Sequence, residues 1–128
     1  MKALVDTSFL IFSVQRSKNF LATLEEFIGD KVEPVMLKSV LQELKKMAEK
    51  PGKKGKSASA ALRMAEGIEV VDDVYAGDVD ESIKTYASLH RIPVITVDRG
   101  LIKKLDAEGV PYMTFTKTGK PIVSLILH

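Results

Sequence analysis

Two aspartates stand at matching places in the chain. Asp6 directly follows the apolar run Ala3-Leu4-Val5, and Asp98 directly follows Val94-Ile95-Thr96-Val97. Short apolar runs of this kind read as buried strands. In an open parallel sheet, ligands bind just beyond the carboxyl ends of the strands, where the strand order reverses. Each aspartate alone reads more simply as the N-cap of a following helix. The pair at equivalent positions favours a shared site. Glu43 is a third candidate, because it lies one turn from Val40 and from Met47 and borders the apolar stripe of its helix. Its plainer fate is an exposed glutamate. Asp80 is the fourth, in the first turn of a helix, where the macrodipole favours negative charge whatever the function.

Four gathered carboxylates suit one kind of chemistry. Hard divalent cations such as Mg²⁺ and Mn²⁺ take oxygen ligands and keep several waters. Phosphodiester hydrolysis needs an activated water, neutralisation of the scissile phosphate and an oriented leaving group, and carboxylate-bound metal supplies these. The chain has no cysteine, and its two histidines are His90 and His128. Zinc chemistry and histidine-based catalysis are therefore poorly supported. His90, near a helix end, reads as a partner of the C-terminal dipole.

The elements that must position these acids follow from periodicity. Phe20, Leu21, Leu24, Phe27 and Ile28 predict a helix ending at Gly29. Pro34-Val35-Met36 predicts a strand. Leu37, Val40, Leu41, Leu44, Met47 and Ala48 trace one face of a helix that stops before Pro51-Gly52. Lys50 to Lys56, with four lysines and three residues of proline or glycine, reads as a loop. A small-residue helix carries Ala58, Ala61, Leu62 and Ala65, closed by Gly67. Ile68-Glu69-Val70-Val71 predicts a third strand. Asp78 reads as the N-cap of a helix with Val79, Ile83, Tyr86, Ala87 and His90. Leu101, Ile102 and Leu105 continue as a helix to Gly109. Tyr112-Met113-Thr114-Phe115 predicts a fifth strand, and the apolar tail Ile122 to Leu127 an added edge strand. Strands alternating with helices predict a three-layer α/β/α sandwich with a mostly parallel sheet of about five strands. A single domain over residues 1–128 is expected, with no internal repeat.

Composition sets the surroundings. With 128 residues, 45% of them hydrophobic and 28% charged, the chain can bury one core. Its net charge of +2 is too small to argue for nucleic acid by itself. The absence of cysteine suits a reducing interior. The start, Met1-Lys2-Ala3-Leu4-Val5-Asp6, meets charge too early for a signal peptide, and no apolar run approaches a membrane span, so a cytoplasmic protein is expected. Amide residues are confined to Gln15, Asn19 and Gln42 while lysine and glutamate abound, a bias that suits a thermophile.

Taken in order, the motifs resemble those of the PIN-domain nucleases. Val5-Asp6-Thr7-Ser8 resembles their first-strand motif, and Val40-Leu41-Gln42-Glu43-Leu44 their glutamate helix. Asp80-Glu81-Ser82-Ile83, then Ala87 and Ile92-Pro93-Val94-Ile95-Thr96-Val97-Asp98, is similar to the segment with the third and fourth acids. The resemblance covers essentially the whole chain and implies a Mg²⁺- or Mn²⁺-dependent endoribonuclease with Asp6, Glu43, Asp80 and Asp98 catalytic. Of these, Asp6, Asp80 and Asp98 would be the metal ligands. Two branches of that superfamily compete. One is the VapC-type toxins, which would imply an antitoxin partner. The other is the single-domain endonucleases resembling the small-subunit ribosomal RNA processing factor, including archaeal ones. Ala60 to Ala65 and Thr96-Val97-Asp98-Arg99 with Leu101 look closer to the second. Gly100 stands where many relatives carry a further acid, which points to one ion rather than two. Val79 stands where some rRNA-processing relatives have aspartate.

Several residues have secondary roles. Thr7, Ser8 and Thr96 could orient the acids or a bound water, or make only local backbone bonds. Asp78 could partly substitute for the aspartate missing at Val79, though capping is the simpler role. Lys50, Lys53, Lys54 and Lys56, with Arg99, are the RNA-binding candidates through phosphate contacts. A solvated loop is the plainer reading for the lysines. A homodimer is also expected, since related domains commonly pair. The competing function is a non-catalytic RNA-binding or ribosome-assembly module on the same fold. Receiver and haloacid-dehalogenase-like phosphatase readings fail, because Asp6 stands alone and the position two residues on is Ser8.

Overall fold

The structure is a computed structural model, described here for residues 1–75 and 77–124. The first strand, β1 (Lys2–Val5), runs into α1 (Thr7–Arg16), followed by α2 (Phe20–Ile28) and β2 (Glu33–Leu37). Then come α3 (Lys38–Ala48), α4 (Gly52–Met64), β3 (Glu69–Val71) and α5 (Val79–His90). The chain closes with β4 (Val94–Ile95), α6 (Arg99–Ala107), β5 (Tyr112–Phe115) and β6 (Pro121–Ser124). Ala3, Leu4 and Val5 are fully buried, as are Val94 and Ile95. This is why the central strands read as continuous apolar runs rather than alternating ones.

The six strands form one sheet in the order β3-β2-β1-β4-β5-β6. All neighbours are parallel except β5 and β6, which pair antiparallel through Thr114 opposite Ile122. Right-handed crossovers send α1 to α4 to one face and α5 and α6 to the other. In agreement, α4 packs on α1 and α3, and α5 packs on α6. The strand order reverses between β1 and β4, so the switch point lies between Asp6 and Asp98. The predicted mostly parallel α/β sandwich is therefore found, with six strands instead of about five. The sixth is the expected edge strand, seen over Pro121–Ser124; the remainder of that predicted segment, Leu125 to Leu127, lies outside the described residues. No helix among the described residues is long and apolar enough to cross a membrane.

One helix went unpredicted, and one prediction needs correction. Periodicity does not single out α1, because Phe9-Leu10-Ile11-Phe12 is apolar almost all round. The helix is flanked by sheet and helices, and Phe9, Leu10 and Phe12 are all buried. Phe12, Phe20 and Phe115 meet in an aromatic cluster, with ring centroids 4.8 to 5.9 Å apart. The lysine segment is also not a loop. From Gly52 onward it is helix, so Lys53, Lys54 and Lys56 stand on the first turns of α4. Its two glycines serve different needs, close packing at Gly55 and a left-handed φ at Gly52. A Cβ at Gly55 would lie 1.7 Å from the Lys50 carbonyl oxygen, and Gly52 has a φ of +80°. These residues let α4 turn back tightly onto the end of α3.

Candidate active site

The site is built from Asp6 outward. Asp6 caps α1: its Oδ1 accepts from the Phe9 N–H at 3.0 Å. Thr96 Oγ1 donates to Oδ2 at 2.8 Å, and Ser8 Oγ donates to both carboxylate oxygens at 2.9 and 3.0 Å. The two hydroxyl oxygens also lie 3.1 Å apart, and either can donate to the other. Both in turn accept backbone N–H groups from the β4 side, Val97 to Ser8 at 3.1 Å and Asp98 to Thr96 at 3.0 Å. The two strand ends are thereby laced together across the switch point. Asp6 is only 6% exposed. Burial pushes its carboxyl up from 3.8 to about 6, against the hydrogen bonds of Thr96, Phe9 and Ser8, and the Asp98 charge adds to the rise.

Three more acids line the same cleft of about 500 Å³: Glu43 from α3, Asp80 from α5 and Asp98 at the start of α6. Thr7 and Ser8 line it as well, with Phe12 and Met47 among the apolar walls. Thr7 Oγ1 donates to Glu43 Oε1 at 2.6 Å, which ties the glutamate helix to the residue after Asp6. Asp98 caps α6 through Oδ1, which accepts from the N–H groups of Gly100 at 2.8 Å and Leu101 at 3.2 Å. Asp80 is half-buried. Burial raises its carboxyl above the usual range, Lys104 works against that rise, and the Asp78 and Asp98 charges add to it. Lys104 Nζ lies 3.6 Å from Asp80 and 3.7 Å from Asp78.

Capping and site roles therefore coincide at Asp6 and Asp98. A second cleft, of about 490 Å³ between Phe9, Leu10, Leu21 and Met64, has Lys18 in its lining but no carboxylate to hold a metal ion. Of the secondary candidates, Asp78 caps α5 by accepting from Asp80 N–H at 3.2 Å and does not line the acidic cleft. Thr96 is fully buried beneath Asp6, so it acts on the acid and not on a ligand.

The basic candidates lie outside the lining of the acidic cleft. Lys50 and Lys56 line a groove with Arg63 and Ala48, and the preceding Met47 lines the acidic cleft. Lys53 and Lys54 are exposed on the first turn of α4. Arg99 lines another groove with Lys103 and Lys117, and this one shares Val97 with the acidic cleft.

Sequence reasoning missed Lys104 and Asp73. Nothing in local spacing distinguishes Lys104 from other surface lysines. Asp73 follows β3 by two residues. It accepts from Ser39 N–H at 3.0 Å, Ser39 Oγ at 2.5 Å and Ser82 Oγ at 2.5 Å. Burial works to raise its carboxyl, but these hydrogen bonds outweigh burial and hold it below 3.8.

The donor set is carboxylate and hydroxyl oxygen throughout, which fits a hard divalent cation. Among the described residues no three acids already stand as a ready-made cation cage.

Comparison with known proteins bears on the family and the fold. The chain is 32% identical over 116 residues, 88% of each chain, to ribonuclease VapC4 of Methanocaldococcus jannaschii. Among solved structures, it resembles the PIN domain endonuclease Utp24, with a TM-score of 0.79, 24% identity, and 98% of this chain and 92% of that one covered. A domain of a functionally unknown protein from Methanocaldococcus jannaschii superposes with a TM-score of 0.66 and 19% identity, over 99% of both chains. The sequence profile of the family described as PIN like domain matches residues 3–117, and the chain belongs to that family.

Proposed function

We propose that this chain is a Mg²⁺- or Mn²⁺-dependent endoribonuclease working at the acidic cleft. The observation that carries the reading is the convergence of Asp6, Glu43, Asp80 and Asp98, from four separate elements, on one cleft at the switch point. Asp6, Asp80 and Asp98 would hold the cation. When bound, it would supply charge neutralisation at the scissile phosphate and a more acidic water. Glu43, which accepts the Thr7 hydroxyl, would take a proton from the attacking water. Ser8 and Thr96 keep Asp6 fixed in one orientation. Lys50, Lys53, Lys54 and Lys56 on one side and Arg99 on the other would hold the RNA backbone by phosphate contacts.

The alternative of a non-catalytic RNA-binding module fits the cleft poorly. A binding-only surface gains nothing from four carboxylates where phosphate must sit. The sequence kinship to a VapC ribonuclease supports the VapC-type role, in which an antitoxin would be the protein partner. A ribosomal RNA-processing role would use the same chemistry. The test is cleavage of a single-stranded RNA by wild type and Asp98→Asn, with Mn²⁺ and with EDTA. Cleavage by wild type with Mn²⁺ only, and loss in the variant, is expected. Equal cleavage by both proteins, or none by wild type, would overturn the reading.

A further inference from the structure

Two of the four acids ride on helices whose placement depends on a residue outside the cleft. Helix α3 has no cap of its own. Strand β2 runs straight into it, and the N-cap position is Leu37, fully buried in the core with no side-chain bond to the helix. The first-turn N–H groups of α3 therefore need an acceptor from elsewhere. The segment that follows β3 supplies it, through Asp73. The parallel pairing of β2 and β3 ends with Leu37 opposite Val71, and two residues beyond that pair lie Ser39 on one segment and Asp73 on the other. One carboxylate oxygen of Asp73 accepts from the Ser39 N–H, and the other accepts the hydroxyls of both Ser39 and Ser82. Ser39 lies one helical turn before Glu43, and Ser82 lies two residues after Asp80. One side chain thus bridges helices on opposite faces of the sheet, close to the acid each carries.

We infer that Asp73 is a positioning residue that holds Glu43 and Asp80 in register across the cleft, an inference that rests on the ribonuclease reading above. It touches neither substrate nor cation. Its effect passes through the first turns of α3 and α5. Partners that orient ligating groups in this way commonly change metal affinity or activity by about 10–100-fold when removed.

The test compares Asp73→Ala, Asp73→Asn and Ser82→Ala. Asp73→Ala should lower kcat for RNA by about 10–100-fold and weaken Mn²⁺ binding by about 10-fold, with KM for RNA changed by less than about 3-fold. Asp73→Asn keeps an oxygen acceptor for the Ser39 N–H and should recover most of the loss. Ser82→Ala removes only the α5 link and should weaken Mn²⁺ binding several-fold even if Asp73→Ala does not fold. Carboxyl ¹³C shifts of Glu43 and Asp80, read without metal, should move in Asp73→Ala and return in Asp73→Asn. Folded variants with wild-type kcat, Mn²⁺ affinity and carboxyl shifts would overturn the inference. So would a loss accounted for entirely by the unfolded fraction. Should wild type cleave no RNA, the ribonuclease reading fails, and the carboxyl shifts alone decide the role of Asp73.

Discussion

Replacing Asp6 by asparagine should move activity and stability in opposite directions. The carboxyl is buried, and its folded-state value of about 6 lies above the ordinary 3.8. Between those values the folded protein binds more protons than the unfolded chain. Stability without metal therefore falls as pH rises from about 4 to about 6, and stays low above that. At ~1.4 kcal/mol per pH unit, the whole effect is about 3 kcal/mol. Asparagine keeps an acceptor for the Phe9 N–H but sets an amide against the hydroxyls of Ser8 and Thr96. Part of the gain is lost there, at about 1 kcal/mol for one mismatched hydrogen bond. Asp6→Asn should therefore be more stable than wild type by ~2 kcal/mol at pH 7 in EDTA, and no more stable at pH 4. For a chain of this size that is a rise in Tm of roughly 6–10 °C at neutral pH. Cleavage of RNA with Mn²⁺ should fall by roughly 100-fold or more, since a ligand matters more than the partners that orient it. The assays are thermal unfolding in EDTA from pH 4 to 7.5 and single-turnover cleavage. A variant less stable than wild type at pH 7 would refute the electrostatic reasoning. Near-normal cleavage would reduce Asp6 to a helix cap.

Further outcomes test other parts of the structure. Thr96→Val keeps the shape but removes the donor to Asp6 and the acceptor of the Asp98 N–H, so stability should drop by about 1–3 kcal/mol. It should also push the Asp6 carboxyl further up, moving the acid limb of the pH–activity curve to higher pH; an unmoved limb would show that Asp6 does not set it. Gly55→Ala drives a Cβ into the Lys50 carbonyl and should cost at least ~2 kcal/mol in a denaturant titration; a neutral result would mean the α3–α4 turn relaxes easily. Neutralising Lys50, Lys53, Lys54 and Lys56 together should flatten the dependence of RNA affinity on salt, at about 0.7 per lost phosphate contact on a log–log plot. Light scattering should show a homodimer at micromolar concentration, with exposed apolar side chains such as Phe27 and Leu89 available to the contact.

Much of this arrangement is already written in local patterns. Ala3-Leu4-Val5 and Val94-Ile95 are too apolar to face water, so burial on both sides, and with it a parallel sheet, follows from composition. Asp6 and Asp98 are legible as acids at strand ends because each is the first polar group after such a run. The helical spacing around Glu43 and the cap at Asp78 are equally local. Other features depend on neighbours distant in sequence. Helix α1 shows no clear period because its middle, Phe9 to Phe12, is almost wholly enclosed by other elements. The lysine segment looks like a loop because proline and glycine usually break helices, yet Gly55 is where α4 closes on the Lys50 carbonyl. That close contact exists only once α3 and α4 pack.

The sequence by itself determined the fold class and singled out four acids as candidates for hard-cation chemistry, because these readings rest on residue type, short-range periodicity and motif order. Only the tertiary structure decided how the acids are held. The rise of Asp6 to about 6 comes from burial set by strand packing, moderated by a hydroxyl 90 residues away in Thr96. The tie between Glu43 and Asp80 through Asp73 spans 34 residues to Ser39 and 9 to Ser82. Such bonds leave no periodic trace, because a hydrogen bond needs atoms within about 3 Å and is indifferent to the length of chain between them.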